Sequence, residues 1–191
     1  MDRDEIKQQV LLFIKARNNL LAVIAFSVIN IILAAFNVNT SFLFSATIPQ
    51  FVFSLGKSLD NEIGSSLFMI IGLILAFSII ASYFIFWALA KRIRVFVLVA
   101  LIFFSIDSLV LLMFILKLEY NFSYLLEIAF HGWILFYMIN GVKAWSKIRF
   151  IDKDIIDYIM LEIKNNKKNT HESDMPVNSD NDVSESINSY S

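Results

Sequence analysis

The sequence contains no cysteine, and it has only 2 prolines and 5 glycines among 191 residues. The lack of cysteine excludes disulfide bonds, thiolate metal ligands and a cysteine nucleophile. The glycines are too scattered to form a phosphate-binding loop, and there is no His-Glu-x-x-His or Gly-x-Ser-x-Gly motif. The chain therefore carries no common signature of a hydrolase or a nucleotide-binding enzyme, and we predict no cofactor.

A strong net charge is also missing. Lys and Arg number 16 and Asp and Glu number 17, so the formal net charge is −1. No global field recruits nucleic acid, and we predict no nucleic-acid partner. Apolar residues are abundant instead: 58% of the chain is hydrophobic, against roughly 45–50% in a soluble domain. This excess indicates an integral membrane protein.

Four long apolar runs cover residues 20–36, 67–90, 93–116 and 122–142. Each is close to the ~20 residues with which a helix crosses a hydrocarbon core of ~30 Å. We therefore predict an all-α fold whose central domain, residues 20–142, is a four-helix transmembrane bundle. Short connections at 91–92 and 117–121 predict tight antiparallel hairpins, and the lipid bilayer is the predicted environment.

The positive charges fall almost entirely on one side of these runs. Of the 16 Lys and Arg residues, only Lys57 and Lys117 fall in the two connections on the other side. Positive residues collect on the cytoplasmic side of membrane proteins, which predicts that both termini are cytoplasmic. Heavy use of Asn, Ile, Lys and Phe suits an AT-rich bacterial genome, so we expect a bacterial cytoplasmic membrane.

The segments outside the bundle differ in composition. Residues 1–19 and 143–164 carry apolar side chains at helical spacing, which predicts cytoplasmic amphipathic helices. Residues 165–191 are rich in Asn, Ser, Asp, Glu and Lys, which predicts a disordered tail. The outer loop 37–66 is long for a connector, and we expect it to lie at the interface or to dip between the helices.

Ionisable residues inside the predicted spans form a candidate polar site. Asp107 lies in the third run, and Glu127 and His131 lie in the fourth. Folding the hairpin about its centre places Asp107 opposite His131 or Gly132, and Glu127 shares a helix face with His131. Three roles stay open: a structural clasp, a proton or ion relay, and a three-ligand metal site, although we assign no metal.

Polar residues of the first run have a simpler interpretation. Asn30 lies near its middle, and Ser27 lies one turn earlier on the same face. We expect both to pack inward and to form hydrogen bonds between helices.

Three classes of function follow from these features. The first is a non-catalytic accessory, regulatory or protective subunit that contacts a membrane protein partner or lipid. The second is an oligomeric transporter or ion-coupled subunit built around Asp107 and His131. The third is an intramembrane lipid-modifying enzyme, for which the sequence supplies neither a nucleophile nor an oxyanion device.

Overall fold

A computed structural model describes residues 1–36, 38, 45–116 and 122–173, with the backbone alone at 122–124 and 167–173. This part of the chain forms six α-helices and no strand. Four helices contain segments that are long and apolar enough to cross a membrane, which confirms the all-helical prediction and the four apolar spans. The helices are α1 Arg3–Ala35, α2 Thr47–Ile63, α3 Leu67–Leu89, α4 Phe96–Ile115, α5 Phe122–Ile148 and α6 Lys153–Ser173.

The chain divides into two compact units, Met1–Phe150 and Ile151–Ser191. In the first unit, α1 packs mainly against α5, and α2 packs mainly against α3. The core contains apolar residues from all five helices, with Phe53 and Phe104 among the largest fully buried side chains. Many large apolar side chains of α3 and α4 point outward, such as Ile74 and Leu109. An exposed apolar surface of this extent is typical of a membrane-facing protein.

Helix α1 is one continuous element of 33 residues. The sequence predicted an amphipathic segment at 1–19 followed by a span at 20–36, and the structure joins them without a break. The join arises because buried Val10, Phe13 and Ala16 extend the packed face of the span toward the N-terminus. Asp2 caps the helix by accepting a hydrogen bond from the Glu5 N–H at 2.7 Å.

The predicted outer loop 37–66 contains a helix, α2, which the sequence interpretation missed. α2 runs antiparallel to α3, and the two backbones meet where Gly56 faces Gly72. Gly64 ends α2 in the left-handed conformation, with φ of 70°, and its N–H bonds to the Asp60 carbonyl. The second half of the predicted loop is therefore an ordered helical hairpin with α3.

The C-terminal helices differ from the predicted boundaries. Instead of one helix at 143–164, α5 continues to Ile148 and α6 begins at Lys153. The break falls where the Asp152 side chain accepts the Asp154 N–H and its carbonyl accepts the Ile156 N–H. Helix α6 extends to Ser173 and so includes residues 165–173 of the predicted tail 165–191. Its remainder, 174–191, and the hairpin turn 117–121 lie outside the described residues.

Candidate functional site

Polar side chains from three helices converge on residues 45–48, here called the α2 start. Asp107, near the middle of α4, supplies the central group. Its Oδ2 accepts the Thr47 N–H at 2.8 Å, and its Oδ1 accepts the Ile48 N–H at 2.7 Å. The Asp107 side chain is 0% exposed. A carboxylate from another helix therefore caps α2.

This contact answers a specific physical need. The first backbone N–H groups of a helix have no partner within the helix, and the N-terminus carries a partial positive charge. The residue that precedes α2, Ala46, has no side-chain acceptor. Asp107 supplies both the acceptor atoms and the complementary negative charge.

Helix α1 completes the hydrogen bonding of the same segment. Ser27 Oγ accepts the Ala46 N–H at 2.8 Å and donates to the Val23 carbonyl at 2.7 Å. Pro49, in the first turn, has no N–H to satisfy. The N–H groups of Ala46, Thr47 and Ile48 thus all have partners. This is required of a helix end buried away from water.

Asn30 forms a hydrogen bond with Ser45, the first residue of the α2 start. Its Nδ2 donates to Ser45 Oγ at 2.7 Å, and Asn30, Ser27 and Ser45 are each 2% exposed. The inward packing and cross-element hydrogen bonding expected for Ser27 and Asn30 are therefore present. Their partners lie in the α2 start rather than in another predicted span.

His131 of α5 contacts the same carboxylate. Its Nε2 lies 3.4 Å from Asp107 Oδ2 and 3.5 Å from Thr47 Oγ1. Its Nδ1 lies 3.0 Å from the Glu127 carbonyl oxygen, and the ring stacks on Phe104 at a centroid distance of 5.2 Å. A carbonyl oxygen only accepts hydrogen bonds, so we assign the Nδ1 atom as protonated.

That assignment leaves Nε2 as the ring atom that faces Asp107 Oδ2 at 3.4 Å. The contact joins α5 to α4 through the same carboxylate oxygen that accepts the Thr47 N–H.

Glu127 does not join this contact through its side chain. The Glu127 side chain is half-buried, and the Glu127 group that accepts the hydrogen bond from His131 Nδ1 is the backbone carbonyl. Within the described residues, no group of three His, Asp or Glu side chains is placed to hold a metal ion. The three-ligand arrangement considered from the sequence is therefore not formed there.

Gly132 also differs from the sequence interpretation. The hairpin count placed it opposite Asp107 as the alternative to His131, but it is exposed, and a Cβ there would meet nothing within 4 Å. The close approach of α5 is instead to α1, where Gly141 packs on Ala16. Helix α5 thus uses a different glycine for contact with a different helix.

Two basic side chains stabilise other helix ends in the same unit. Arg17 Nη2 donates to the Trp87 carbonyl at 3.3 Å, in the last turn of α3, and its guanidinium lies 5.4 Å from the Trp87 ring centroid. Lys57 Nζ donates to the Ala34 carbonyl at 3.1 Å, in the last turn of α1. Cations at C-termini and an anion at an N-terminus each complement the helix dipole. Charge is thus placed at helix ends.

We predict that Ser27→Ala lowers the free energy of unfolding by about 1–2 kcal/mol, because the buried Ala46 N–H loses its acceptor. The matched control is Ser78→Ala. The Ser78 hydroxyl donates to the Ile74 carbonyl of its own helix and Ser78 is exposed, so a change below about 0.5 kcal/mol is expected. Thermal unfolding in detergent measures both. Equal stability of the two variants would contradict this role for Ser27.

Comparison with known protein families, with curated proteins and with solved structures finds no match to this chain.

Proposed function

We propose that this protein is a multi-pass membrane protein without catalytic activity, acting as an accessory, regulatory or protective subunit through contacts with a partner or with lipid. One observation carries the proposal. Asp107 and His131 are 0% and 3% exposed, and their oxygen and nitrogen atoms all have protein partners. The pair is committed to holding the α2 start, so neither of these two side chains is free to bind or transform a substrate.

The proposed topology has both termini in the cytoplasm of a bacterial cell. It rests on the asymmetric distribution of Lys and Arg and on an even number of spans. In this topology, α2 starts near the middle of the bilayer and ends on the outer side. Backbone at such depth is tolerated only where its polar groups are satisfied by protein, as they are at the α2 start.

A second candidate, a proton-coupled or ion-coupled oligomer, is favoured by one specific feature. Secondary transporters place binding sites at the buried ends of half-helices, and Asp and His chains relay protons there. The Asp107–His131 pair at the N-terminus of α2 has this arrangement. The two candidates differ because a relay must exchange its proton with both sides of the membrane.

Proton flux separates the candidates. The purified chain is reconstituted into liposomes containing a pH-sensitive dye, and a potassium diffusion potential is imposed with valinomycin. We expect acidification no faster than in protein-free liposomes, for both the wild type and Asp107→Asn. A wild-type flux that Asp107→Asn abolishes would contradict the accessory-subunit proposal and support the relay.

Assembly mass tests the subunit role directly. Extraction into native-lipid nanodiscs followed by native mass spectrometry should reveal a second protein at a fixed ratio. Helix α6 exposes Ile155 and Leu161, at 49% and 56%, as candidate contacts. We expect Ile155→Ser/Leu161→Ser to lose that protein and Asp154→Ser/Lys164→Ser to retain it. A mass of this chain alone, or of copies of it with lipid only, would contradict a role through a protein partner.

A further inference from the structure

A groove between α1 and α5 lies apart from the Asp107–His131 contact. It encloses about 240 Å³ and is lined by Lys15, Asn18, Asn19, Trp133 and Tyr137. Lys15 and Asn18 are exposed, and Trp133 is 59% exposed, so the groove opens toward the surroundings of the protein. The rings of Trp133 and Tyr137 lie 5.3 Å apart and form its apolar wall.

The chemistry of the lining favours a phosphate group. The ammonium of Lys15 and the amides of Asn18 and Asn19 offer several hydrogen-bond donors, and the Tyr137 hydroxyl offers another. None of these side chains is acidic. A negative phosphate would gain charge-assisted hydrogen bonds, whereas a cationic headgroup would meet only the ammonium.

The position of the groove along the helices matches the edge of a bilayer. Lys15 precedes Ser27 by twelve residues, which is about 18 Å along a helix. Ser27 bonds to the α2 start, near the middle of the proposed span. Half of a hydrocarbon core is about 15 Å, so Lys15 lies at the depth where headgroups begin. Trp133, two residues beyond His131, lies within the hydrocarbon.

We propose that this groove binds an anionic phospholipid of the cytoplasmic leaflet, with Lys15 contacting the headgroup phosphate and an acyl chain along Trp133. The groove has hydrogen-bond donors at one end and an indole at the other, which suits the polar headgroup and the apolar acyl chain of a phospholipid. Lipid-facing basic pockets between transmembrane helices bind anionic headgroups in this way. The inference rests on the proposed membrane insertion and orientation.

Fluorescence quenching of Trp133 tests the site. Trp87→Phe/Trp145→Phe leaves Trp133 as the sole tryptophan of the 3 in the chain. The protein is placed in phosphatidylcholine vesicles containing phosphatidylglycerol, with brominated acyl chains on one lipid or the other. At equal mole fraction we expect stronger quenching by brominated phosphatidylglycerol. Lys15→Gln should reduce that preference about fivefold, since a surface cation contributes about this factor.

The control variant is Lys91→Gln, which removes a charge from the same predicted side but outside the groove. It should leave the preference unchanged. Equal quenching by both lipids would overturn the lipid site while leaving membrane insertion intact. No quenching by either lipid would overturn insertion and the site together. Inorganic phosphate is then added at about 1–10 mM, which would occupy a site whose Kd for phosphate is about 1 mM. Loss of the preference would assign the groove to phosphate and overturn the lipid proposal.

A second measurement avoids the tryptophan substitutions. Wild-type protein in a neutral detergent is titrated with phosphatidylglycerol or phosphatidylcholine and examined by native mass spectrometry. Retention of one phosphatidylglycerol in preference to phosphatidylcholine supports the proposal, and equal retention of the two lipids overturns it.

Discussion

Replacing Asp107 with leucine is expected to lower the free energy of unfolding by about 3–5 kcal/mol, the usual cost of breaking a buried charged pair. The substitution keeps the number and branching of the side-chain heavy atoms, but it leaves the Thr47 and Ile48 N–H groups and the His131 ring without their Asp107 partner. Asp107→Asn should cost less, because its amide oxygen still accepts one of the two N–H groups. Thermal unfolding in detergent measures both variants.

Hydrogen exchange locates the effect of this substitution. The amides of Thr47 and Ile48 should lose protection in Asp107→Leu, because the start of α2 is released from α4. The control is Ser108→Ala, at the next residue of α4, whose hydroxyl bonds only to the Phe104 carbonyl. It should retain near wild-type stability and exchange. Wild-type protection at Thr47 and Ile48 in Asp107→Leu would rule out the cap.

A double-mutant cycle shows whether His131 acts through the same contact. Once Asp107 is leucine, His131→Leu should add less than about 1 kcal/mol, because interacting residues are not additive. Full additivity of the two single effects would mean that the 3.4 Å contact carries no energy.

The second large effect is expected at the crossing of α2 and α3. A Cβ on Gly56 would lie 2.6 Å from the Phe68 carbonyl oxygen and 3.0 Å from the Gly72 Cα. Both neighbours are backbone atoms, which cannot move aside as a flexible side chain can. Gly56→Ala should therefore separate the helices and cost about 1–3 kcal/mol, and Gly56→Leu should cost more.

Gly132→Ala is the matched control for this prediction. A Cβ at Gly132 meets nothing within 4 Å, and alanine favours a helix by about 1 kcal/mol over glycine. We expect unchanged or slightly raised stability, measured by circular dichroism during thermal unfolding. If Gly56→Ala were as stable as Gly132→Ala, the close crossing of α2 and α3 would be wrong.

The apolar spans could be predicted because a long unbroken run of apolar residues by itself indicates a helix that can cross a membrane. The predicted run 67–90 corresponds to Leu67–Leu89, and 93–116 corresponds to Phe96–Ile115. The pairing of Asp107 with His131 was also within reach, since both lie about equally far from the connection between their runs. Counting along a tight hairpin gives depth without any knowledge of packing.

Helix α2 could not be predicted in the same way because distant residues stabilise its ends and its packing. Its N-terminus needs Asp107 and Ser27, and its middle needs Gly72 across the crossing. One local signal was present and unused. Pro49 in the first turn and Gly64 at the end bracket the helix, as proline and glycine commonly do. Counting residues from the sequence places Asp107 opposite His131, but it does not show that the α2 start lies beside Asp107.

Labelling of single cysteines tests the central claim of the proposed topology, that α2 starts inside the bilayer and ends on the outer side. The chain has no cysteine, so each introduced thiol is the only one. We expect a membrane-impermeant maleimide to label Ser58→Cys in intact cells, and Arg92→Cys only after permeabilisation. Ser45→Cys, 2% exposed in the wild type, should react only after denaturation. Labelling of Ser45→Cys from the side opposite Ser58→Cys would show that α2 crosses the membrane, which contradicts the account.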